Sequence, residues 1–467
     1  MHRSILAAVG VACGTGLVLA QAPPPPQQTP QRPTELSITL DNPGSHPKIG
    51  FQAIEVSDSR ADVRAAAETI LDVLIADLEF EREFYTIGRK ASAGIPAAST
   101  PQSLPFSRWT ELGAQFVFMG SLREISGKIT VDVRLIKVQG GDAGRQDFGQ
   151  SYGGCTLDNP RYCAHAIADD IHKQKRNLDG VARTRLAFTS DRDAEASTSR
   201  QMPDAGPGKE IYLMDYDGAG QRRLTFNRNL NIGANWGPGG RMLAYASFLA
   251  NGPADILLTL LDGRPATRPA RGPDWAANHL PAISPDGTKI AFMSSQGGQT
   301  GYYDVWVVNR DGTNMRNLTP NTPRSSEGAP TWSPNGQSIA FTSDRTGTNH
   351  VFIMNADGTG VRRITFAEKC DRPTWSALNF IAYTLERPGG KDIAVTELGR
   401  MEARVLTDGL GSNEQPAVAP NGRHVAFVTT RFGKRQIAMV DYPDGKFYRQ
   451  LTTAGNNSYP SWSPLAK

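Results

Sequence analysis

Hydrophobic and polar positions follow two different patterns along the chain, and the change comes near Arg185. Before it, from Lys48 to about Leu178, apolar runs of strand length alternate with stretches of helical periodicity. "KIGFQAIEV" predicts a strand. The following "SDSRADVRAAAETILDVLIADL" predicts a helix, because its apolar residues recur every three to four positions. The residues available to cap this helix are Ser57, Asp58 and Ser59.

The rest of this first region continues the alternation. "EFYTIG" predicts a strand, and "FSRWTELG" predicts a short helix that stops at Gly113. "AQFVFMGSLREISG" and "KITVDVRLIKV" predict a hairpin that turns at Gly127, and "AHAIADDIHKQKR" predicts a closing helix. We therefore expect an α/β domain over residues 45–180, with helices packed against a small sheet.

After Arg185 the helical periodicity disappears and a unit of about forty to fifty residues recurs. Its strand core appears six times, as "LAFTSD", "LAYAS", "IAFMSS", "IAFTSD", "IAYTL" and "VAFVTT". Four short antiparallel strands per unit are typical of a propeller blade. Trp236, Trp332 and Trp375 lie in first strands and are expected to pack between blades. A turn ending in glycine also appears six times, and Gly358 in the clearest copy is expected to have a positive φ.

The two ends of the repeat region complement each other. The first strand core, at Leu186, has no first strand before it, and the final "YPSWSP" has no second strand after it. If the last strand joins the unit begun at Leu186, the ring closes. We therefore predict a small α/β N-terminal domain followed by an all-β six-bladed propeller over residues 181–467, closed by a C-terminal strand. In the fifth unit Ala377-Leu378-Asn379 replaces the usual turn, which predicts a shorter and distorted connection.

The N-terminal residues carry a third pattern. Residues 1–20 are interpreted as a cleaved signal peptide, because Arg3 precedes the apolar "ILAAVGVACGTGLVLA". A membrane anchor and a lipoprotein modified at Cys13 are the alternatives. Residues 21–34 are a Pro/Gln-rich linker that cannot bury a core, and residues 35–44 are expected to be a mobile segment. The mature chain is therefore expected to be exported.

Composition and motifs argue against several classes of function. The 467 residues carry a net charge of +4 without a basic block, so nothing points to nucleic acid. The region outside the repeats is too short for a hydrolase domain with a nucleophile elbow, and the histidines lack ligand spacing, so no catalytic, cofactor or metal residue is assigned. Two kinds of site remain possible: a cation bound in the channel, and a catalytic pair of carboxylates contributed by different blades. Cys155 and Cys163 are predicted to lie in a loop, where they either form a disulfide bond or remain reduced. Cys370 is expected to be a buried thiol.

The leader, the α/β domain and six units of the type "WSPNGQSIAFTSDR" together resemble the TolB family. The more specific matches are "AHAIADDI" running into "DGVARTRLAF" and the terminal "PSWSP". The Pro-rich tract and the long first-blade loop at 193–210 depart from the family pattern. The resemblance implies a non-enzymatic, monomeric periplasmic scaffold of the Tol–Pal system, which serves outer-membrane integrity and envelope constriction during cell division.

The resemblance also implies two partners. The propeller would bind the peptidoglycan-associated lipoprotein Pal across one face, and the N-terminal segment would bind the inner-membrane protein TolA. The segment could add to a partner's sheet or dock on its own domain as an edge strand; its residues are Glu35, Leu36, Ser37, Ile38, Thr39 and Leu40. For the Pal-type rim we expect polar loop residues that packing does not need, namely Asn278, His279, Ser326, Glu327, Asp371, Arg372, Asn413, Glu414, Asn457 and Ser458.

A second function class stays open, because a propeller by itself does not decide activity. An exported propeller could instead bind or cleave envelope carbohydrate or peptide, as a hydrolase, a lyase or a sugar-binding protein. Capture of a Pal-type lipoprotein would separate these classes.

Overall fold

The computed structural model describes residues 46–193, 208–227, 229–248, 252–297, 301–320, 324–366, 368–400 and 402–465. The predicted signal peptide, linker and N-terminal partner segment lie outside these residues, as does 194–207 of the long first-blade loop. Among the described residues, no helix combines the length and the apolar character needed to cross a membrane.

An α/β domain forms the first part of the described chain. Its strands are β1 (Lys48–Phe51), β2 (Glu55–Val56), β3 (Tyr85–Thr86), β4 (Phe116–Ile125), β5 (Lys128–Lys137) and β6 (Gln146–Thr156). Its helices are α1 (Ala61–Phe80), α2 (Arg89–Ser92), α3 (Phe106–Glu111) and α4 (Arg161–Arg176). The sheet has the order β3-β1-β4-β5-β6, with β2 paired to β4. The apolar faces of α1 and α4 pack on this sheet and form its core.

Three details of this domain differ from the expectation. "KIGFQAIEV" is two short strands, β1 and β2, and not one. The glycine-rich "QDFGQSYGGCT" is strand β6, so Cys155 lies on a strand and not in a loop; its disulfide with Cys163 joins β6 to α4. α1 has no side-chain N-cap. The carboxylate of Asp58 instead accepts a hydrogen bond from the backbone N–H of Arg60 at 2.9 Å, in the turn before the helix.

Six antiparallel sheets form the propeller. Blade 1 contains β29 (Asn457–Trp462), β7 (Arg185–Ser190), β8 (Glu210–Asp215) and β9 (Arg222–Arg223). Blade 2 contains β10 (Leu230–Trp236), β11 (Met242–Phe248) and β12 (Ala254–Leu260). Blade 3 contains β13 (Asn278–Ile283), β14 (Lys289–Ser294), β15 (Asp304–Asn309) and β16 (Arg316–Asn317).

The other three blades follow the same order. Blade 4 contains β17 (Glu327–Trp332), β18 (Ser338–Ser343), β19 (His350–Asn355) and β20 (Arg362–Arg363). Blade 5 contains β21 (Lys369–Trp375), β22 (Phe380–Arg387), β23 (Gly390–Glu397) and β24 (Ala403–Val405). Blade 6 contains β25 (Asn413–Val418), β26 (His424–Phe432), β27 (Lys434–Asp441) and β28 (Tyr448–Gln450).

The C-terminal strand closes the ring. β29 pairs antiparallel with β7, with Asn457 opposite Ser190 and Trp462 opposite Leu186. Blade 1 therefore takes its first strand from the far end of the repeat region and its other strands from the beginning. The predicted fold class, a small α/β domain followed by a closed six-bladed propeller, is confirmed.

The first-strand tryptophans lie between blades, as predicted. The indole N–H of Trp236 in blade 2 donates to the carbonyl of Ser461 in blade 1 at 3.1 Å. Trp332 in blade 4 makes the equivalent bond to Ala282 in blade 3 at 2.9 Å. Each indole is thus packed against the neighbouring sheet and its polar atom is satisfied, which is the usual requirement for a buried tryptophan.

The turn in blade 5 is shorter, as predicted, but it keeps the geometry of the others. Asn379 has a φ of 61° and donates its backbone N–H to the carbonyl of Ser376 at 3.2 Å. In blade 4 Gly336 does the same toward Ser333, with a φ of 71°. Asparagine tolerates the left-handed region better than most residues, so it replaces glycine here. Gly358 has the expected positive φ, 96°, and Cys370 is buried.

The α/β domain rests on one face of the propeller, which we call the domain face. This is the edge formed by the turns between first and second strands and between third and fourth strands. At the end of α1, the ring of Phe80 lies 4.4 Å from that of His424 and 4.7 Å from that of Tyr216. Arg82 bonds Asp441 at 2.6 Å. The domain therefore covers blades 1 and 6, and the opposite face is left to loops of the propeller.

Candidate interaction face of the propeller

Every first strand carries the same irregularity. The pairing of first and second strand shifts at one point in all six blades, which marks a β-bulge. One residue in each bulge has a left-handed backbone, with φ between 48° and 65°: Gly233, Leu280, Ala329, Arg372, Gln415 and Tyr459. The next residue is proline in five blades, at positions 281, 330, 373, 416 and 460. Proline suits a bulge because it has no N–H to contribute to the ladder.

The six left-handed residues surround the mouth of the central channel. A cavity of about 170 Å³ is lined by all six first strands and includes these six residues. A left-handed conformation costs a non-glycine residue about 1–2 kcal/mol. Such strain persists only where the surroundings enforce it and is concentrated at functional sites.

Threonines of the preceding blade hold several of these backbones. The N–H of Arg372 donates to Oγ1 of Thr342 at 3.1 Å, and the N–H of Gln415 donates to Oγ1 of Thr384 at 2.9 Å. Both threonines lie on second strands. The bulges are therefore fixed by contacts between neighbouring blades, and a change in blade packing would be felt at the channel mouth.

The mouth has a polar side and an apolar side. The guanidinium of Arg372 lies 4.8 Å from the ring centroid of Tyr459, a cation–π contact. The side-chain oxygen of Gln415 accepts the backbone N–H of Tyr459 at 2.7 Å. Leu280 and Ala329 form the apolar side.

Large apolar side chains are exposed on the loops around this mouth. Four of them are 58–69% exposed and lie just before first strands: Phe226, Trp275, Phe366 and Leu410. Tyr302 is exposed on the connection between the second and third strands of blade 3, and Phe432 is exposed at the end of β26, beside the same connection in blade 6. All of these connections lie at the edge where the first strands begin, opposite the domain face, because the strands of a blade alternate in direction. We call this edge, with these six side chains and the six left-handed residues, the mouth face.

Cations stack on two of the exposed rings. The guanidinium of Arg223 lies 4.8 Å from the centroid of Phe226, and that of Arg363 lies 5.3 Å from the centroid of Phe366. Exposed aromatic and arginine side chains are the types enriched at protein–protein interfaces. The mouth face therefore has the composition of a protein-binding surface.

The predicted rim residues lie near this face, but the expectation that they are loop residues unneeded for packing is wrong. All of them except Ser326 lie within first strands. Five are buried, namely Asn278, Glu327, Asn413, Asn457 and Ser458, and five are half-buried, namely His279, Ser326, Asp371, Arg372 and Glu414. Arg372 is the predicted residue that reaches the channel mouth.

The buried asparagines link neighbouring blades. The side-chain amide of Asn457 in blade 1 donates to Gln436 in blade 6 at 2.9 Å, and that of Asn278 in blade 3 donates to Asp255 in blade 2 at 3.2 Å. Glu327 accepts the hydroxyl of Ser343 on the neighbouring strand at 2.8 Å. The amide N–H groups of Asn457 and Asn278 and the carboxylate of Glu327 thus form hydrogen bonds inside the propeller, and these buried side chains are not available to a partner.

His279 is held neutral by its surroundings. Its ring lies 5.6 Å from that of Phe248 and 6.0 Å from that of Tyr303. Burial among these groups lowers the pKa of His279 to about 4. At neutral pH it therefore adds apolar and hydrogen-bonding surface to the mouth face and no charge.

One sequence signal could have located the mouth. The residue before each first-strand proline takes the left-handed backbone, and the pairs "LP", "AP", "RP", "QP" and "YP" recur at one position of the repeat. Arg372 was singled out, whereas Leu280, Ala329, Gln415 and Tyr459 were missed. Proline is confined to bulges and edges of sheets because it cannot donate to the ladder, so its recurrence at one register position of the first strands marks an irregular backbone there.

The α/β domain carries a sequence with the spacing of a nucleophile elbow. The letters "GQSYG" at residues 149–153 have the G-x-S-x-G spacing. They lie within β6, where Ser151 pairs with Asp132 of β5. A nucleophile elbow needs a sharp turn from strand to helix, so this extended strand does not provide one.

Comparison with known proteins matches both the α/β domain and the propeller to described protein families. The family described as the TolB beta propeller domain matches residues 177–466, and the TolB amino-terminal domain matches residues 45–143. The chain belongs to the TolB family. Both matches agree with the two folded parts described above.

Individual relatives agree with this family. The Tol-Pal system protein TolB of Anaeromyxobacter dehalogenans is 30% identical over 67% of this chain and 65% of its own length. That of Desulfosudis oleivorans is 28% identical over 60% of each chain. The chain thus matches less than two thirds of the length of these curated relatives. The crystal structure of TolB from Acinetobacter baumannii, 21% identical, covers 90% of this chain and 97% of its own with a TM-score of 0.72, which shows the shared fold.

Proposed function

We propose that this TolB-family chain is a periplasmic, non-enzymatic component of the Tol–Pal system, in which the mouth face binds a Pal-type lipoprotein. The family match supports the system. The observation that carries the binding surface is the combination, on one face, of exposed aromatic side chains with a ring of six enforced left-handed residues. In this role the chain acts by joining envelope proteins, in support of outer-membrane integrity and of constriction during cell division.

The position of the α/β domain favours the mouth face over the domain face. The domain already covers blades 1 and 6 through contacts such as Arg82–Asp441. The mouth face has exposed apolar side chains on its rim, around a polar centre at Arg372 and Gln415. A partner can bury the aromatic rim and reach the centre with hydrogen-bonding groups, an arrangement typical of specific interfaces.

We further propose that the segment Glu35–Leu40 binds a TolA-type inner-membrane protein. The alternation in "ELSITL" supports this role, because an extended segment can add a strand to a partner's sheet. The monomeric chain would then connect one partner bound through its N-terminal segment to another bound through its propeller.

Binding to purified Pal-type lipoprotein from the same organism tests the mouth face. The double variant Phe226→Ser/Phe366→Ser should bind at least about tenfold more weakly, because hot-spot aromatics carry much of an interface's energy. The matched control is Leu378→Ser, which alters a side chain 50% exposed in a domain-face turn. Unchanged affinity in the double variant, with equal melting temperatures, would refute the assignment of the face.

Deletion of residues 35–44 tests the segment separately. The shortened chain should lose capture of a TolA-type protein and still bind Pal-type lipoprotein. If it captures both partners as the full chain does, the segment has no role in binding. If the full chain captures neither, even from envelope extract, the Tol–Pal role itself is wrong.

A further inference from the structure

In the described part of the propeller, blade 2 has three strands and lacks the fourth strand that the other five blades have. Along the described residues after β12, one isolated bridge takes its place, with Leu258 and Thr267 exchanging two backbone hydrogen bonds of 2.9 Å. The sequence gives the reason, because "GRPATRPARGP" holds three prolines, which cannot donate to a ladder. The outer edge of this blade is therefore left partly uncovered on the domain face.

A cavity of about 780 Å³ opens at this edge. Its apolar wall comes from the strands of blade 2, with Met242, Leu258 and Leu260. Five arginines from three blades also line it: Arg185 and Arg222 from blade 1, Arg241 and Arg264 from blade 2, and Arg310 from blade 3. The volume lies within the range of small-molecule sites. We call this cavity the blade 2 pocket.

The positive charge in the blade 2 pocket is largely uncompensated. Asp262 is the acidic residue in its lining, and it pairs with Arg264 at 2.6 Å. Among the described residues, the other four arginines make no ion pair. Arg185 is half-buried and stacks 5.5 Å from the ring of Trp236. Burial and the nearby Arg222 lower the pKa of Arg185, while Asp215 opposes them.

Several partly buried arginines elsewhere on the described chain are paired with carboxylates. Arg161 bonds Asp217 at 2.8 Å, Arg183 bonds Asp169 at 2.9 Å, and Arg423 bonds Glu83 at 2.7 Å. Placing the half-buried Arg185 beside Arg222 without a paired carboxylate costs electrostatic free energy. An anion that binds between them recovers this energy, and guanidinium groups bind phosphate through paired hydrogen bonds.

We propose that the blade 2 pocket binds a ligand that carries two phosphate groups next to an apolar or carbon skeleton. A phosphate monoester carries about −1.5 to −2 charges, so two phosphates balance the four unpaired arginines, whereas four carboxylates would be needed. The apolar wall contacts the remainder of the ligand. The phosphates come from a soluble diphosphate compound or from a lipid headgroup. This inference does not rest on the proposed partner binding.

Calorimetric titration of the full chain with inorganic pyrophosphate, at constant ionic strength, tests the site. We expect saturable binding, weaker by at least tenfold in Arg185→Gln/Arg222→Gln. The matched control Arg108→Gln/Arg145→Gln removes two exposed charges from the α/β domain and should bind like the unaltered chain. Thermal unfolding of each variant checks that the fold is retained. Equal affinity in the pocket variant and the control would overturn the site.

Sedimentation with vesicles separates the two sources of phosphate. Vesicles of phosphatidylcholine that contain diacylglycerol pyrophosphate, a lipid with two phosphates in its headgroup, should bind the chain if the ligand is a headgroup. Inorganic pyrophosphate should then displace the chain from them. Binding of pyrophosphate without vesicle binding supports a soluble ligand. If the chain binds neither pyrophosphate nor these vesicles, and the control variant gives the same result at the same ionic strength, the proposal is refuted. Mouth-face variants should leave all of these results unchanged, so the two proposals fail or succeed separately.

Discussion

At the scale of single residues, one position near the start of the first strand links neighbouring blades. Asparagine occupies it in four blades, and each side-chain amide donates to the third strand of the blade before: Asn231 to Glu210, Asn278 to Asp255, Asn413 to Asp392 and Asn457 to Gln436. Asn457 also donates to the carbonyl of Ala454 at 2.9 Å. Because these groups are buried, loss of one partner exposes the desolvation cost of the other.

Asn457→Ala should lower the free energy of unfolding by about 2 kcal/mol, because a fully buried side chain loses its hydrogen bonds to Gln436 and Ala454. The neighbouring Asn456 is an internal control. Its side chain is exposed and bonds Asp191 at 2.9 Å, so Asn456→Ala should cost less than about 1 kcal/mol. Urea unfolding of both variants measures the difference. Equal costs would mean that the buried amide is not a structural link.

These residues also show why the rim was misread from the sequence. A polar residue beside a turn is usually solvated. Its residue type alone does not indicate that it forms a hydrogen bond with a residue about twenty positions upstream in another blade. The register of one blade against the next decides whether Asn278 is exposed or buried. That register is set by packing, which a single sequence does not display.

At the scale of elements, α4 links the two domains through a buried ionic cluster. The Nδ1 atom of His165 lies 2.7 Å from Asp77 of α1, and its Nε2 atom lies 3.8 Å from Asp215 of blade 1. Arg161 and Tyr216 complete the cluster, with the Tyr216 hydroxyl 2.5 Å from Asp77. Burial lowers the pKa of His165, but the carboxylates of Asp215 and Asp77 outweigh it and raise the pKa to about 9.

The raised pKa of His165 predicts a loss of stability at alkaline pH. In the unfolded chain the histidine titrates near 6.5, so its contribution is complete below that pH and is lost as pH rises through about 9. The full effect is on the order of 3 kcal/mol. Unfolding midpoints from pH 6 to pH 9 should fall for the unaltered chain and change less for His165→Gln. His279→Gln, whose histidine is neutral over this range, should keep the slope; an equal slope in His165→Gln would contradict the cluster's role.

The disulfide joins two elements of the α/β domain, β6 and α4. Cys155→Ala/Cys163→Ala should lower stability by about 2–3 kcal/mol, since a short closed loop restricts the unfolded chain. Differential scanning calorimetry with and without reductant measures this effect. Reductant should destabilise the unaltered chain and leave the double variant unchanged. Insensitivity of the unaltered chain would show that the bond does not support the fold.

Helical periodicity was sufficient to predict α1, α3 and α4, whereas β6 was missed for a physical reason. Its sequence "QDFGQSYGGCT" holds three glycines and exposed polar residues. Glycine weakens the strand signal, and this edge strand is held by its pairing with β5 and by the disulfide. Such long-range support is invisible in local propensity.

At the scale of the whole molecule, closure joins the two ends of the repeat region in one sheet. Counting incomplete units in the sequence was enough to predict this closure. The segment "RLAFTS" has no first strand before it, and "YPSWSP" has no second strand after it. The count could not reveal that blade 2 has three strands, since prolines after β12 leave the unit at normal length. Unit length reports the number of blades, and hydrogen-bonding capacity decides whether each blade is complete.

Deleting residues 457–467 should therefore destabilise the entire ring. The deletion removes β29, leaves β7 without its inner partner and exposes the surface that Trp462 covers. Loss of a buried tryptophan alone costs about 3–5 kcal/mol, which corresponds to a fall in Tm of about 10 °C for a domain of this size. Deleting only residues 464–467 leaves β29 intact and should change Tm little. Because both truncations remove chain ends, a difference between them reports closure of the ring; equal melting of the two would show that blade 1 is stable without its C-terminal strand.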